Sequence, residues 1–129
     1  MDIHDLRRRV LAAREFTVAV DDRVQFVLRL PTEHQRLLVA ERAHQKSQPH
    51  RAVLRELLVG AVVGWAGLRM EDLLPDTDEP GPLDFDEELA PDLVPMVLDV
   101  QAKWADVLED QFMGRMVARQ APVEEAAKN

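Results

Sequence analysis

The chain has 129 residues, a length that suits one domain and is too short for two full cores with a linker. With 47% apolar and 31% charged side chains it has the balance of a folded protein, and 16 basic against 24 acidic residues give a formal net charge of -8. That acid surplus repels phosphate backbones and anionic lipid, which argues against nucleic-acid and membrane partners, and the absence of cysteine excludes a disulfide framework, a thiolate nucleophile and a Cys-ligated zinc site.

Met1-Asp2-Ile3-His4-Asp5 is acidic where a secretory signal needs basic residues, and the longest apolar stretch, Leu57 to Leu68, falls well short of the roughly 20 residues that span a bilayer. Ile3, Leu6, Val10 and Ala13 recur at helical spacing behind a capping Asp2, which predicts an amphipathic helix over residues 3–14. Its polar face carries Arg7, Arg8, Arg9 and Arg14; without interleaved aromatics, and diluted by Asp2, Asp5 and Glu15, this reads as a solvated or intramolecularly paired face. Phe16, Val18 and Val20, then Val24, Phe26, Leu28 and Leu30, alternate on either side of Asp21-Asp22 and predict a β-hairpin over about 16–30. Thr32 and Gln35 fit a capping box, so a helix follows over about 33–46, broken by Ser47-Gln48-Pro49-His50. The stretch from Arg51 to Leu74 is apolar nearly all round and predicts a buried central helix.

Ten acids without one Lys or Arg lie between Glu71 and Asp92, together with Pro75, Pro80, Gly81, Pro82 and Pro91. This segment, about 71–92, reads as an exposed acidic connector. Asp84 and Glu87 then offer a capping pair for a short helix. Pro91 or Pro95 opens a long helix to about Arg119, with Leu93, Val97, Val100, Trp104, Leu108 and Phe112 on one face. Residues 121–129 read as a frayed tail behind a single domain over 1–120. The expected class is therefore α+β: a mainly helical single domain with a two-stranded N-terminal β-hairpin. Its charge is unevenly shared, with eleven basic and eight acidic residues up to Gly60 and five basic against sixteen acidic beyond it.

Catalytic chemistry has little to work with: one serine (Ser47), three threonines, no tyrosine, and four histidines of which no two stand at the spacing that pairs metal ligands on a helix. The glycines form no phosphate-binding loop. Asp76 to Glu87 has the acids of a calcium loop at its first, third, ninth and twelfth positions, but Pro80 stands where the fifth ligand belongs and Pro82 restricts the turn, so a solvated acidic loop is the better reading. No enzyme activity, cofactor or metal is expected. Gly60, Gly64 and Gly67 would bring small residues to adjacent turns of the central helix, where backbones can approach closely. That gives either tight packing within one core or a groove for a partner or a second copy, with Gly60, Gly64, Trp65, Gly67, Leu68 and Trp104 as the candidate partner-binding residues. Trp65 and Trp104 also have the helical spacing of core anchors.

Three landmarks occur in order: the hairpin from Phe16 to Leu30 running into Pro31-Thr32, then Val63-Gly64-Trp65-Ala66-Gly67-Leu68, then the acidic Pro-rich loop and Pro82-Leu83-Asp84-Phe85-Asp86-Glu87-Glu88-Leu89. Over roughly residues 14–110 this arrangement resembles the small tail assembly chaperones of long-tailed bacteriophages. Asp21-Asp22 in place of Asp-Gly departs from that pattern, as does the basic first helix. The resemblance implies a non-enzymatic protein of the host cytoplasm that binds the tape measure protein, keeps it soluble and gives way to the tail tube protein. It also implies a longer form made by ribosomal slippage, for which Ala127-Lys128-Asn129 is a tripeptide able to encode a slippery site. The alternative is a structural virion protein, a connector or tail completion subunit.

Overall fold

The computed structural model describes residues 1–128, with side chains as far as residue 118. The elements in chain order are α1 (Ile3–Ala12), β1 (Glu15–Ala19), β2 (Gln25–Arg29), α2 (Glu33–Gln45), α3 (His50–Ala61), β3 (Val62–Ala66), α4 (Met70–Leu73), α5 (Ala90–Val100) and α6 (Ala102–Lys128). Mixed helix and strand with helix in excess is the expected class. No helix among the described residues is long and apolar enough to cross a membrane. The frayed tail expected over 121–129 falls beyond the described side chains.

Local chemistry explains the N-terminal half. Asp2 caps α1 by accepting from the His4 amide at 3.2 Å. At the hairpin turn the Asp21 carboxylate accepts from the amides of Arg23 (2.8 Å) and Val24 (2.6 Å), a local Asx bond that does the work a glycine does elsewhere. The Thr32–Gln35 capping box forms reciprocally, at 2.8 and 3.0 Å. Ser47, in the left-handed region with φ 54°, ends α2.

The central helix is corrected. α3 stops at Ala61, and Val62 passes directly into a third strand that pairs antiparallel with β2, giving the sheet order β1-β2-β3. The sheet is thus three-stranded and the hairpin is only part of it. Val62, Val63 and Trp65 are β-branched and aromatic, the residues that fit a half-buried pleated surface, whereas a helix through Gly60, Gly64 and Gly67 would carry three glycines at about 1 kcal/mol each. Pairing with β2 supplies the rest, setting Phe26 opposite Trp65 and Val27 opposite Gly64, with a register shift before Leu28.

One face of the sheet builds the core. Phe26 and Leu28 have no exposed surface, and the rings of Trp65 and Trp104 stand edge-on to Phe26 with centroids 6.3 and 6.4 Å away. α3 adds Leu54 and Leu58, α5 adds Val94, Val97 and Leu98, and α6 adds Leu108 and Phe112. Burying an aromatic ring of this kind stabilises by about 2–3 kcal/mol, and truncating Phe26 to alanine costs about 3–5 kcal/mol once the cavity is counted. On the other face Thr17, Ala19 and Ala66 are exposed.

The acidic half is corrected in two places. No helix follows Asp84; residues 87–89 form turns, and α5 starts at Ala90 with Pro91 in its first turn and Pro95 inside it. The long helix is divided at Gln101, whose side chain donates to the Asp72 carbonyl at 2.8 Å while its backbone leaves the helical region. The division turns Trp104, Ala105 and Leu108 toward the core and leaves Val100 exposed. Trp65 fixes the connector: its indole N–H donates to the Leu83 carbonyl at 2.8 Å, and Phe85 packs edge-on at 4.8 Å.

Candidate partner grooves beside α2

α2 is seated lightly. Ala43 is its one buried residue, while Leu37 and Leu38 are more than half exposed. An amphipathic helix covers one stripe, but Leu37-Leu38-Val39-Ala40 sets four apolar side chains around more than half a turn, so no single packing surface buries them all. A groove runs along each side of the helix as a result.

The first groove, about 460 Å³, lies between α2, α3 and α6. Its floor is Val53, Leu54 and Leu57 of α3, its wall Met113, Met116 and Val117 of α6, and Arg36, Ala40 and His44 of α2 line it with His50. Met113 and Val117 are exposed, and methionine is the side chain that best moulds itself to an irregular apolar partner. The second, about 450 Å³, lies on the other side of α2, with Leu11, Leu30, Pro31 and Leu38 among its apolar walls. Leu57 reaches both grooves. Arg14 donates to the Leu30 carbonyl at the rim of the second groove, Arg42 pairs with Glu56, and Arg29 pairs with Glu15 at 2.6 Å.

α3 and α6 hold the first groove's floor and wall in register. Glu109, its side chain only 12% exposed, accepts from Arg55 at 2.6 Å and lies 3.5 Å from Arg51. Partly buried Arg–carboxylate pairs fix geometry more than they add stability, so they set how α3 and α6 sit against each other.

The residues expected to bind a partner do not form one surface. Trp65, Leu68 and Trp104 are core; for the two tryptophans this is the reading as anchors, and Leu68 offers no partner surface. Gly60 sits exposed on α3 at the second groove, Gly64 is in β3 against Val27, and Gly67 is in the turn after β3. That turn is a joint. Gly67 has φ 79°, the Arg23 side chain donates to its carbonyl, and Arg23 also pairs with Asp72 at 2.8 Å, tying the hairpin turn to α4. Burial of Asp72 opposes its ionisation, but the bonds from Arg23 and from the Arg69 amide outweigh it and hold the carboxyl below its ordinary pKa. The Asp72 bond holds the Arg23 guanidinium above its own ordinary value.

Asp76 to Glu87 does not close around a cation position: Asp86 accepts from the Glu88 amide at 2.9 Å, and no group of three or more His, Asp or Glu side chains converges as metal ligands among the described residues. What the grooves missed by the reading of motifs have in common is exposure of apolar residues on a charged helix. The signals in the chain were the four-residue apolar run in α2 and the methionines at 113 and 116.

The molecule defined by this geometry is a mainly helical α+β domain with a closed core and two open apolar grooves. Comparison with protein-family models, with curated proteins and with solved structures returns no match.

Proposed function

We propose that this protein is a non-enzymatic tail assembly chaperone of a long-tailed bacteriophage. It acts in the host cytoplasm, binding the tape measure protein and keeping it soluble until tail tube subunits replace it. The observation that carries the reading is the pair of apolar grooves beside α2, set in the same chain as the three ordered landmarks that resemble that family. A long chain with exposed apolar helical stripes needs covering by grooves that accept such a stripe, and the methionines of the α6 wall tolerate a partner whose sequence varies along its length. The surplus of negative charge keeps a loaded complex dispersed.

The test is co-expression with a tape measure protein, which the reading expects in a neighbouring reading frame. The complex is expected to be soluble and to dissociate when tube protein is added, and Met113→Asp, exposed at the groove wall, is expected to leave the fold intact and the tape measure protein insoluble. A tape measure protein equally soluble without this chain refutes the reading, and recovery of the chain in purified virions moves it to a structural subunit.

A further inference from the structure

α1 is a ten-residue helix with no buried residue. A helix of that length is marginal in water unless its apolar stripe is covered. Ile3, Leu6 and Val10 form that stripe and are 74%, 50% and 51% exposed. Arg7 flanks it on one side and Arg9 on the other. A second uncovered stripe runs along the outside of α5 and its N-cap residue, where Leu89, Met96 and Val100 are each about half exposed. Their spacings of seven and four residues keep them nearly in line on a helix. Exposed Asp92 and Asp99 follow one edge of this stripe, and no Lys or Arg occurs between Arg69 and Lys103. The two stripes are about 10 and 16 Å long, so the shorter fits within the longer.

We propose that α1 of one molecule docks along α5 of a second copy of this chain, apolar stripe against apolar stripe, with Arg7 beside Asp92 and Asp99. Charge selects the pairing. Two α5 stripes face to face would oppose carboxylates, and two α1 stripes would oppose arginines; only the mixed contact pairs unlike charges along its edge. Each molecule has one of each surface, so the contact is made twice in a two-fold dimer or once per neighbour in a ring or chain. Three apolar side chains on each stripe make a small interface, of the weak, concentration-dependent kind. This contact lies outside the grooves beside α2 and stands whether or not they bind a tape measure protein.

Sedimentation velocity tests it, run from about 10 to 500 µM protein at about 50 mM and about 500 mM salt. The average mass is expected to rise about twofold or more across the low-salt series and to fall back at high salt. Leu6→Asp and Met96→Asp, both at exposed positions, are each expected to remain monomeric with unchanged melting. Mixed together they should form a dimer and nothing larger, since the first retains an intact α5 stripe and the second an intact α1 stripe. A protein that stays monomeric throughout the series overturns the proposal. So does association that neither variant reduces, or a mixture of the two that fails to pair or grows beyond a dimer. Co-sedimentation of monomeric protein with phosphatidylserine vesicles, lost in Leu6→Asp, also overturns it and assigns the α1 stripe to an anionic lipid surface.

Discussion

Replacing Gly67 with alanine puts a methyl group into the joint between the hairpin turn and α4. The cost has two parts. A residue with a Cβ at φ 79° gives up about 1–2 kcal/mol to left-handed backbone strain. The new Cβ would also lie 2.0 Å from the Arg23 carbonyl oxygen and 2.9 Å from its carbon, both backbone atoms that no rotamer change can move. Relief requires the hairpin turn to withdraw by more than 1 Å, stretching the Arg23–Asp72 pair; overpacking of this order costs about 1–3 kcal/mol. The sum is about 2–5 kcal/mol, or about 8–20 °C in melting temperature for a domain of this size. Gly64 is the control, because a Cβ there meets only the Val27 side chain, at 3.5 and 3.6 Å, which is ordinary contact. Alanine at 64 relieves the entropic cost of a strand glycine, so Gly64→Ala is expected to be neutral or to stabilise by up to about 1 kcal/mol. Thermal melts followed by circular dichroism at pH 7 read both. If Gly67→Ala melts within about 2 °C of the parent, or Gly64→Ala loses more than Gly67→Ala, the assignment of 62–66 to a strand and 67 to its turn is refuted.

Three further outcomes follow from the same geometry. The folded-state pKa of Asp72 lies below its ordinary value of 3.8, so its contribution to stability is present above that value and fades as pH falls through the lower folded value; Asp72→Asn should therefore melt below the parent at neutral pH, and the two curves should converge under acid, as pH-dependent melts would read. Glu109→Ala leaves Arg55 partly buried without its carboxylate and is expected to lower stability by about 1–3 kcal/mol by urea titration, whereas Asp106→Ala, at an exposed carboxylate 4.0 Å from Arg51, should change it by less than about 0.5 kcal/mol. In native-state hydrogen exchange the amides of α1 and α2 should open well below the global unfolding free energy while those of β2 and α5 approach it, and equal protection throughout would contradict the light seating of α2.

Elements whose determinants are local were legible in the chain. The Asp2 cap, the Thr32–Gln35 box and the break at Ser47 act over four residues or fewer, the period-two alternation from Phe16 to Leu30 spans a single hairpin, and each places an element within one or two residues of where it lies. β3 was not legible for a physical reason. A five-residue apolar run continuous with a helix carries no period of its own, and what makes it a strand is the free edge of β2, about 35 residues upstream in sequence. Gln101 is a similar case: neither proline nor glycine marks the division, which rests on one side-chain bond to the Asp72 carbonyl and on which faces of α5 and α6 meet the core.

The grooves were hidden for the opposite reason, since an uncovered apolar residue looks in sequence like a covered one. Leu37 and Leu38 have the same hydropathy as Leu54 and Leu58, and only the position of α3 beneath α2 decides that the second pair is buried and the first is not. The distribution of burial then carries a functional argument. The core draws on β1, β2, β3, α3, α5 and α6, whereas α1 contributes no buried residue and α2 only Ala43. A domain that kept α1 and α2 for stability alone would bury their stripes, because each covered leucine or isoleucine adds about 1.5–3 kcal/mol. Leaving four such side chains, Ile3, Leu6, Leu37 and Leu38, in water forgoes that stability, which the proposed partner contacts would recover.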